Sequence, residues 1–192
     1  MHRRKRMSNQ EVDALRSQIA AMNNGRGRQH EDAIRAACVG YRLDGRANVV
    51  KVPEPFRVRQ KTSPTTAYVY FTEKAQPDFV GVLAGGRAIA FEAKFTSTDR
   101  IHQDVVTQAQ ADALESYHRL GAIAGVCVGI GTENFFVPWE VFSHMKEHFG
   151  HKYATAEELA YYRVRFDGAT KFLDYEGGDH KTGGTVESQF RD

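Results

Sequence analysis

The stretch that decides the fold is AIAFEAKF, residues 88–95, together with QPDFVGVL at residues 76–83. Along residues 88–95 apolar side chains alternate with others at a period of two, which is typical of a strand. The apolar residues share one face, whereas Glu92 and Lys94 fall on the other. Buried charges are costly unless they are paired or bound to a metal. The strand therefore has one face for the core and one face that carries chemistry.

The alternating apolar residues at 76–83 predict a second strand, and Gly85-Gly86 predicts a tight turn between the two. Such a hairpin brings Asp78 near Glu92. The order Pro-Asp, a thirteen-residue spacer and Glu-x-Lys resembles the PD-(D/E)xK nucleases. In those enzymes two acidic groups hold a hard cation such as Mg²⁺, and the lysine acts on the attacking water or the phosphate. The alternative interpretation is an edge strand that carries a salt bridge.

Composition places the chain among ordinary globular proteins. It has 192 residues, of which 41% are hydrophobic and 26% charged, enough for one domain with extensions. The two cysteines, Cys38 and Cys127, lack the spacing of metal ligands, and we expect two reduced buried thiols. We find no apolar run long enough for a membrane span and no signal peptide. We therefore expect a cytoplasmic protein without membrane contact.

The net charge of +2 hides a strong asymmetry. Residues 1–61 hold 14 Lys and Arg against 6 Asp and Glu, whereas residues 62–192 hold 12 against 18. A basic front half indicates a polyanion partner. The basic arm at residues 2–6 is either a phosphate-binding segment or a solubilising tail, and we expect Arg26 and Arg28 to contact a DNA backbone.

Two helices are predicted before the first strand. A capping box at Ser8 and Glu11 opens the first helix, which ends before the turn-forming residues 23–28. The second helix covers about 29–43, and its Glu31 lies on the inward, apolar side. Glu31 is either an acid that favours the helix dipole or a further carboxylate of a metal site.

The segment at residues 53–70 predicts a protruding hairpin, because prolines interrupt it and extended arms flank a turn. Arg57, Arg59 and Lys61 alternate along one arm and give it a cationic face. Interleaved cations and aromatic residues suit an element that enters a DNA groove. The alternative is an ordinary edge hairpin whose charges discourage aggregation.

Downstream, a helix over about 103–120 directs Gln110 inward, and a later capping box at Thr155 and Glu158 predicts a helix to about residue 163. The predicted organisation has three parts: a basic arm and helix, a nuclease core with a stalk-like insertion at about 53–70, and a C-terminal helix with a polar tail (residues 1–24, 25–150 and 151–192).

Over residues 25–142 the chain resembles the RecU-type Holliday junction resolvases. The resemblance rests on a set of motifs in a shared order: Gly-Arg-Gly-Arg before a Glu-Asp helix, Lys51-x-Pro53-x-Pro55, Asp78 before an aromatic residue and Gly81, Phe91-Glu92-Ala93-Lys94, Gln110, and Gly125-x-Cys127. It implies an α/β, restriction-endonuclease-like core in which helices flank a central mixed sheet and a stalk-like hairpin protrudes.

The resemblance also implies roles for individual residues. Asp78 and Glu92 would bind the metal, Lys94 would act as base or charge stabiliser, Glu31 would be an additional acid and Gln110 would shape the site. The protein would be a homodimer that resolves four-way DNA junctions by paired nicks, with Mg²⁺ or Mn²⁺ as cofactor. Two alternatives stay open: a general, restriction or repair endonuclease, and a non-catalytic DNA-binding module.

Overall fold

The computed structural model describes residues 9–53, 56–63, 65–71 and 76–176. The helices are α1 (Asn9–Leu43), α2 (Gln108–Arg119), α3 (Trp139–Ser143) and α4 (Met145–Phe149). The strands are β1 (Ala47–Lys51), β2 (Phe56–Ser63), β3 (Thr66–Phe71), β4 (Phe79–Leu83), β5 (Ala88–Thr96), β6 (Arg100–His102), β7 (Ile123–Ile130), β8 (Glu133–Pro138), β9 (Tyr153–Thr155), β10 (Val164–Phe166) and β11 (Thr170–Tyr175). The predicted basic arm, Ser8 and the polar tail lie outside the described residues.

A five-stranded sheet in the order β1-β4-β5-β7-β8 forms the centre of the fold. Strands β5 and β7 are parallel, and α2 connects them, as a parallel pair requires a crossover. The other neighbours in the sheet are antiparallel. Helices pack on both faces, so the predicted α/β arrangement of a central mixed sheet flanked by helices is confirmed.

The sheet separates two hydrophobic layers. On one face α1 and the β10–β11 hairpin cover an aromatic cluster in which Phe79 stacks on Phe91 with ring centroids 5.0 Å apart. On the other face α2, α3 and α4 cover the side chains of Val126 and Val128, and Leu114 of α2 is fully buried there. Alternation along β5 and β7 thus assigns each strand one side to each layer.

The β4–β5 hairpin follows the prediction from its local sequence. Gly85 and Gly86 both take positive φ angles, of 91° and 90°, which residues with a side chain rarely adopt. Phe79 pairs with Phe91 in the register of the two strands. Asp78, one residue before β4, therefore lies beside Glu92, as predicted.

The predicted turn at residues 23–28 is wrong, because α1 runs as one helix of 35 residues. At 1.5 Å per residue this helix is about 52 Å long. A glycine inside a helix costs only about 1 kcal/mol relative to alanine, and residues 23–28 include no proline. Ile34 and Ala37 are fully buried against the sheet and anchor the second half of the helix. Turn propensity at the glycines is too weak to end it.

The predicted helix after Thr155 is also wrong. Thr155 and Glu158 do exchange capping-box hydrogen bonds, with Thr155 N donating to Glu158 Oε2 at 2.9 Å. The chain then makes a short 3-10 turn, Ala160–Tyr162, and enters the β10–β11 hairpin. That hairpin buries Phe172 and Leu173 completely in the layer under α1. Burial of these side chains outweighs the local capping signal.

Strands β2 and β3 form a two-stranded antiparallel sheet of their own, which confirms the two extended arms predicted in the segment 53–70. Pro55 and the side chain of Arg57 lie outside the description.

Cys38 and Cys127 are buried free thiols, also as predicted. Within the described ranges, the helices are too short or too polar to cross a bilayer.

Candidate active site

The β4–β5 hairpin brings Asp78, Glu92 and Lys94 together at one end of the sheet. Glu92 and Lys94 lie in register with Val126 and Val128 of β7, so their side chains face the α2 layer. The same hairpin fixes the Asp78 side chain, because the backbone N–H of Ala93 in β5 donates to its Oδ2 at 3.0 Å. Three side chains predicted from sequence thus form one cluster.

Glu92 is the centre of this cluster, and its side chain has no exposed surface. Its Oε2 accepts two hydrogen bonds, from Lys94 Nζ at 2.9 Å and from Gln110 Nε2 at 2.5 Å. Its Oε1 is equally buried and has no hydrogen-bond partner among the described residues. A buried carboxylate oxygen without a partner is costly, so the site has a place for a further positive group.

Gln110 joins the cluster from the first turn of α2. Its Oε1 accepts from Lys94 Nζ at 3.3 Å and from Thr107 at both the backbone N, 3.1 Å, and Oγ1, 3.2 Å. Thr107 is the N-cap of α2, and its Oγ1 accepts from the backbone N–H of Gln110 in return. Our sequence interpretation missed Thr107, although the Thr-x-x-Gln spacing is a readable capping box. The cap fixes the Gln110 amide between Glu92 and Lys94.

Electrostatics set Glu92 apart from an ordinary surface carboxylate. The pKa of Glu92 is raised to about 7, chiefly by burial and then by the neighbouring charge of Asp78, while Lys94 acts in the opposite direction. A perturbed carboxyl beside a second acid is typical of functional sites. Without a cation beside it, the Glu92 carboxyl therefore resists carrying a charge.

The residues present fit a hard cation. Asp78 and Glu92 supply the carboxylate oxygens that Mg²⁺ prefers, and the orphaned Oε1 of Glu92 is an unused ligand atom. Over the residues that the structure describes, no group of three or more His, Cys, Asp and Glu side chains is arranged to hold a metal. Mg²⁺ in proteins is usually bound through one or two carboxylates, with water in its remaining positions.

Glu31 is not brought into this cluster. Lys51 lies opposite Phe79 in the β1–β4 register, so it shares the α1 face of the sheet, and its ammonium donates to the Glu31 carboxylate. The two side chains are 24% and 30% exposed. The role of Glu31 as an additional metal-site acid stays a prediction. Nothing in the sequence signals its pairing with Lys51.

The predicted DNA-binding cations are at the surface where they are described. Arg26 and Arg28 are exposed on α1, and Arg59 and Lys61 are exposed on β2. None of the four forms an ion pair within the described part of the chain. Exposed, unpaired cations are available to phosphate groups. Their DNA contacts stay predictions.

Comparison with known proteins gives two findings. A family model described as RecU, recombination protein U, matches residues 25–176. Among solved structures, the chain is similar to Hjc of Archaeoglobus fulgidus, described as a Holliday junction resolvase from an archaeal hyperthermophile. The similarity covers 56% of this chain and 74% of that chain, at 19% sequence identity and a TM-score of 0.36. No curated protein matches the sequence.

Proposed function

Because the chain belongs to the recombination protein U family, we propose that it is a Holliday junction resolvase, a nuclease that cuts four-way DNA junctions. The observation that carries the proposal is the buried Glu92 carboxylate. One of its oxygens is held by Lys94 and Gln110, the other has no partner in the described structure, and Asp78 stands beside it. Such a group suits metal binding better than a structural ion pair.

We assign Mg²⁺ to Asp78 and Glu92. The bound ion would polarise the scissile phosphate and lower the pKa of a coordinated water. Lys94, whose ammonium lies 2.9 Å from Glu92 Oε2, orients the attacking water or stabilises charge on the phosphate. Gln110 keeps both side chains in place through one amide, so neither has to reorganise during the reaction.

Two active sites are needed for paired nicks in opposed strands. A closed C2 dimer supplies them with the symmetry of a four-way junction. Junction shape is read through backbone contacts, for which Arg59 and Lys61 on the β2–β3 hairpin are suited by their exposure. This hairpin would act as the stalk that enters the junction.

The test is cleavage of a labelled immobile four-way junction beside matched linear duplex and single strand, with Mg²⁺ and with EDTA. We expect Mg²⁺-dependent nicks at symmetric positions in the junction and none in duplex. Asp78→Asn should abolish cleavage and leave junction binding nearly unchanged, because it removes a metal ligand and no phosphate contact. Asp99→Asn, at an exposed carboxylate paired with Arg100, is the matched control and should cut normally.

Other outcomes point elsewhere. Cutting of all three substrates would favour a general endonuclease built on the same site. Tight junction binding without cutting would favour a non-catalytic DNA-binding module. Collapse of binding in Asp78→Asn would contradict the role given to Asp78.

A further inference from the structure

A cavity of about 400 Å³ lies on the face of the sheet opposite Glu92 and Lys94. Its walls come from α1, the end of β5, the β7–β8 turn and β10, and its lining includes Arg26, His30, Phe95, Asn134 and Phe166. We call it the Phe95 pocket. Ligand pockets usually measure about 300–1,000 Å³, so it is large enough for a nucleoside-sized group.

Phe95 connects this pocket to the active site through the strand itself. It follows Lys94 in β5, and successive side chains of a strand point to opposite faces. The ring is only half-buried, and it also borders a second cavity that contains Arg28 and Asn24. An aromatic ring that borders two cavities offers part of its surface for stacking.

The position of the ring depends on a glycine in the neighbouring strand. A Cβ atom at Gly129 would come within 2.7 Å of Phe95 Cδ2 and 3.0 Å of His30 Nδ1. No side chain fits there. The absence of one lets Phe95 and His30 approach with ring centroids 6.1 Å apart and form adjacent walls of the pocket.

Polar groups in the pocket are held in fixed positions. His30 and Asn134 are 6% and 9% exposed. His30 Nε2 lies 3.1 Å from the carbonyl oxygen of Cys127, and Nδ1 lies 3.1 Å from Asn134 Oδ1. Thr170 Oγ1 donates to the same amide oxygen at 3.3 Å. One polar atom of the Asn134 amide is thus engaged, and the other has no partner among the described side chains and backbone groups.

Arg26 completes the set at the pocket mouth. Its side chain is exposed and forms no ion pair with the described residues. A ring face, a fixed amide and a guanidinium together match the three parts of a nucleotide: the π-face of the base, its hydrogen-bonding edge and its phosphate. An apolar ligand would leave the amide and the guanidinium without a partner.

We propose that the Phe95 pocket binds one unpaired nucleobase of the DNA strand near the cut, stacked on Phe95, with its edge at Asn134 and its phosphate at Arg26. Bases at the centre of a branched junction lose a stacking neighbour more readily than bases in duplex, so unpairing there is less costly. The inference rests on the proposed function, because it takes the ligand to be the strand that Lys94 and Glu92 act on.

The test measures junction binding by Asp78→Asn protein with a single abasic site moved through the positions around the cut. At one position, removing the base should raise the dissociation constant about tenfold, because its stacking on an aromatic ring is lost. In the Phe95→Leu background the same abasic site should change binding less than about twofold. A 2-aminopurine at that position should brighten on binding to protein that retains Phe95, because the base leaves its neighbours in the DNA.

Arg26→Ala is a second variant that leaves the core intact, since Arg26 is exposed. It should weaken junction binding and reduce the slope of log K against log salt by the contribution of about one phosphate contact. Tyr161→Leu removes an aromatic ring that is 67% exposed elsewhere on the surface and should keep the full abasic effect.

The outcomes separate the two proposals. If no abasic position changes binding by more than about twofold, or if the effect persists in Phe95→Leu, the nucleobase inference is wrong while the resolvase proposal stands. If the protein binds the intact junction no better than duplex, the proposed function fails first, and the inference fails with it.

Discussion

Gln110 Nε2 lies 2.5 Å from Glu92 Oε2, and this contact joins the first turn of α2 to the strand that carries the acid and the lysine. The same amide accepts from Lys94 Nζ through its oxygen. One capped side chain therefore holds both charged groups. The geometry of the site depends on a helix that begins 14 residues after Lys94 in sequence.

Gln110→Ala should reduce cleavage at neutral pH by about tenfold, because loss of a hydrogen bond to a charged group costs about 1.5–3 kcal/mol. Without that donor the pKa of Glu92 rises further, so activity should recover in part at higher pH. A pH profile of junction cleavage measures this. Gln108→Ala is the matched control, since Gln108 is exposed and bonds only to Asp112 in the described structure. An unchanged profile in Gln110→Ala would contradict the positioning role.

Glu92→Gln should stabilise the metal-free protein at pH 8. Burial raises the pKa of Glu92 from 4.5 to about 7, so between these values the unfolded chain loses a proton that the folded chain keeps. Stability from this group therefore falls as pH rises through that window, by on the order of 3 kcal/mol. Urea unfolding in EDTA at pH 5 and pH 8 measures it. The pH 8 minus pH 5 difference should be smaller in the variant, and equal differences would refute the buried-acid account.

Mg²⁺ should raise the thermal midpoint of the wild-type protein, because a ligand bound only by the folded state stabilises it. The gain is about 2.7 kcal/mol at a concentration 100 times the dissociation constant. Asp78→Asn should lose most of this gain, whereas Asp99→Asn should keep it. Thermal melts over a Mg²⁺ titration, without DNA, measure metal binding independently of cleavage. Equal shifts in both variants would place the metal elsewhere.

Replacing Arg59 and Lys61 by alanine should flatten the salt dependence of junction binding. Each phosphate contact contributes a slope of about 0.9 in log K against log salt, so the loss should approach two such units. The matched control is the pair Lys146→Ala and Arg165→Ala, two exposed cations outside the β2–β3 hairpin. Titrations at four salt concentrations measure both slopes. A hairpin variant with the wild-type slope would rule out stalk contact with DNA.

Gly25→Ala should stabilise the protein by about 0.5–1 kcal/mol. Gly25 lies inside α1, and a Cβ there meets no atom within 4 Å, so alanine gains helix propensity without a clash. Gly81→Ala is the opposite case, because its Cβ would lie 2.2 Å from the Asn48 carbonyl oxygen in β1. Urea unfolding should show a gain for the first and a loss for the second. A loss in Gly25→Ala would favour a turn at residues 23–28.

Local features of the sequence were sufficient to predict the centre of the site. The period of two in residues 88–95 and the glycine pair at 85–86 describe a hairpin within one short segment, and a hairpin alone brings Asp78 to Glu92. Helical spacing also predicted that Gln110 points inward, and Gln110 is indeed only 7% exposed. These predictions succeeded because each depends on residues close together in the chain, where backbone geometry leaves few alternatives.

Only the tertiary structure decided the rest. It joined two predicted helices into α1 and replaced the helix predicted after Thr155 by a turn that leads into β10. It also paired Glu31 with Lys51 and assembled the Phe95 pocket from four separate segments. Propensities at a turn or cap are worth about 1 kcal/mol, whereas burying one large apolar side chain such as Phe172 is worth about 1.5–3 kcal/mol. Where the two conflict, burial against distant parts of the chain prevails. A local sequence pattern does not show which distant residues a segment will pack against.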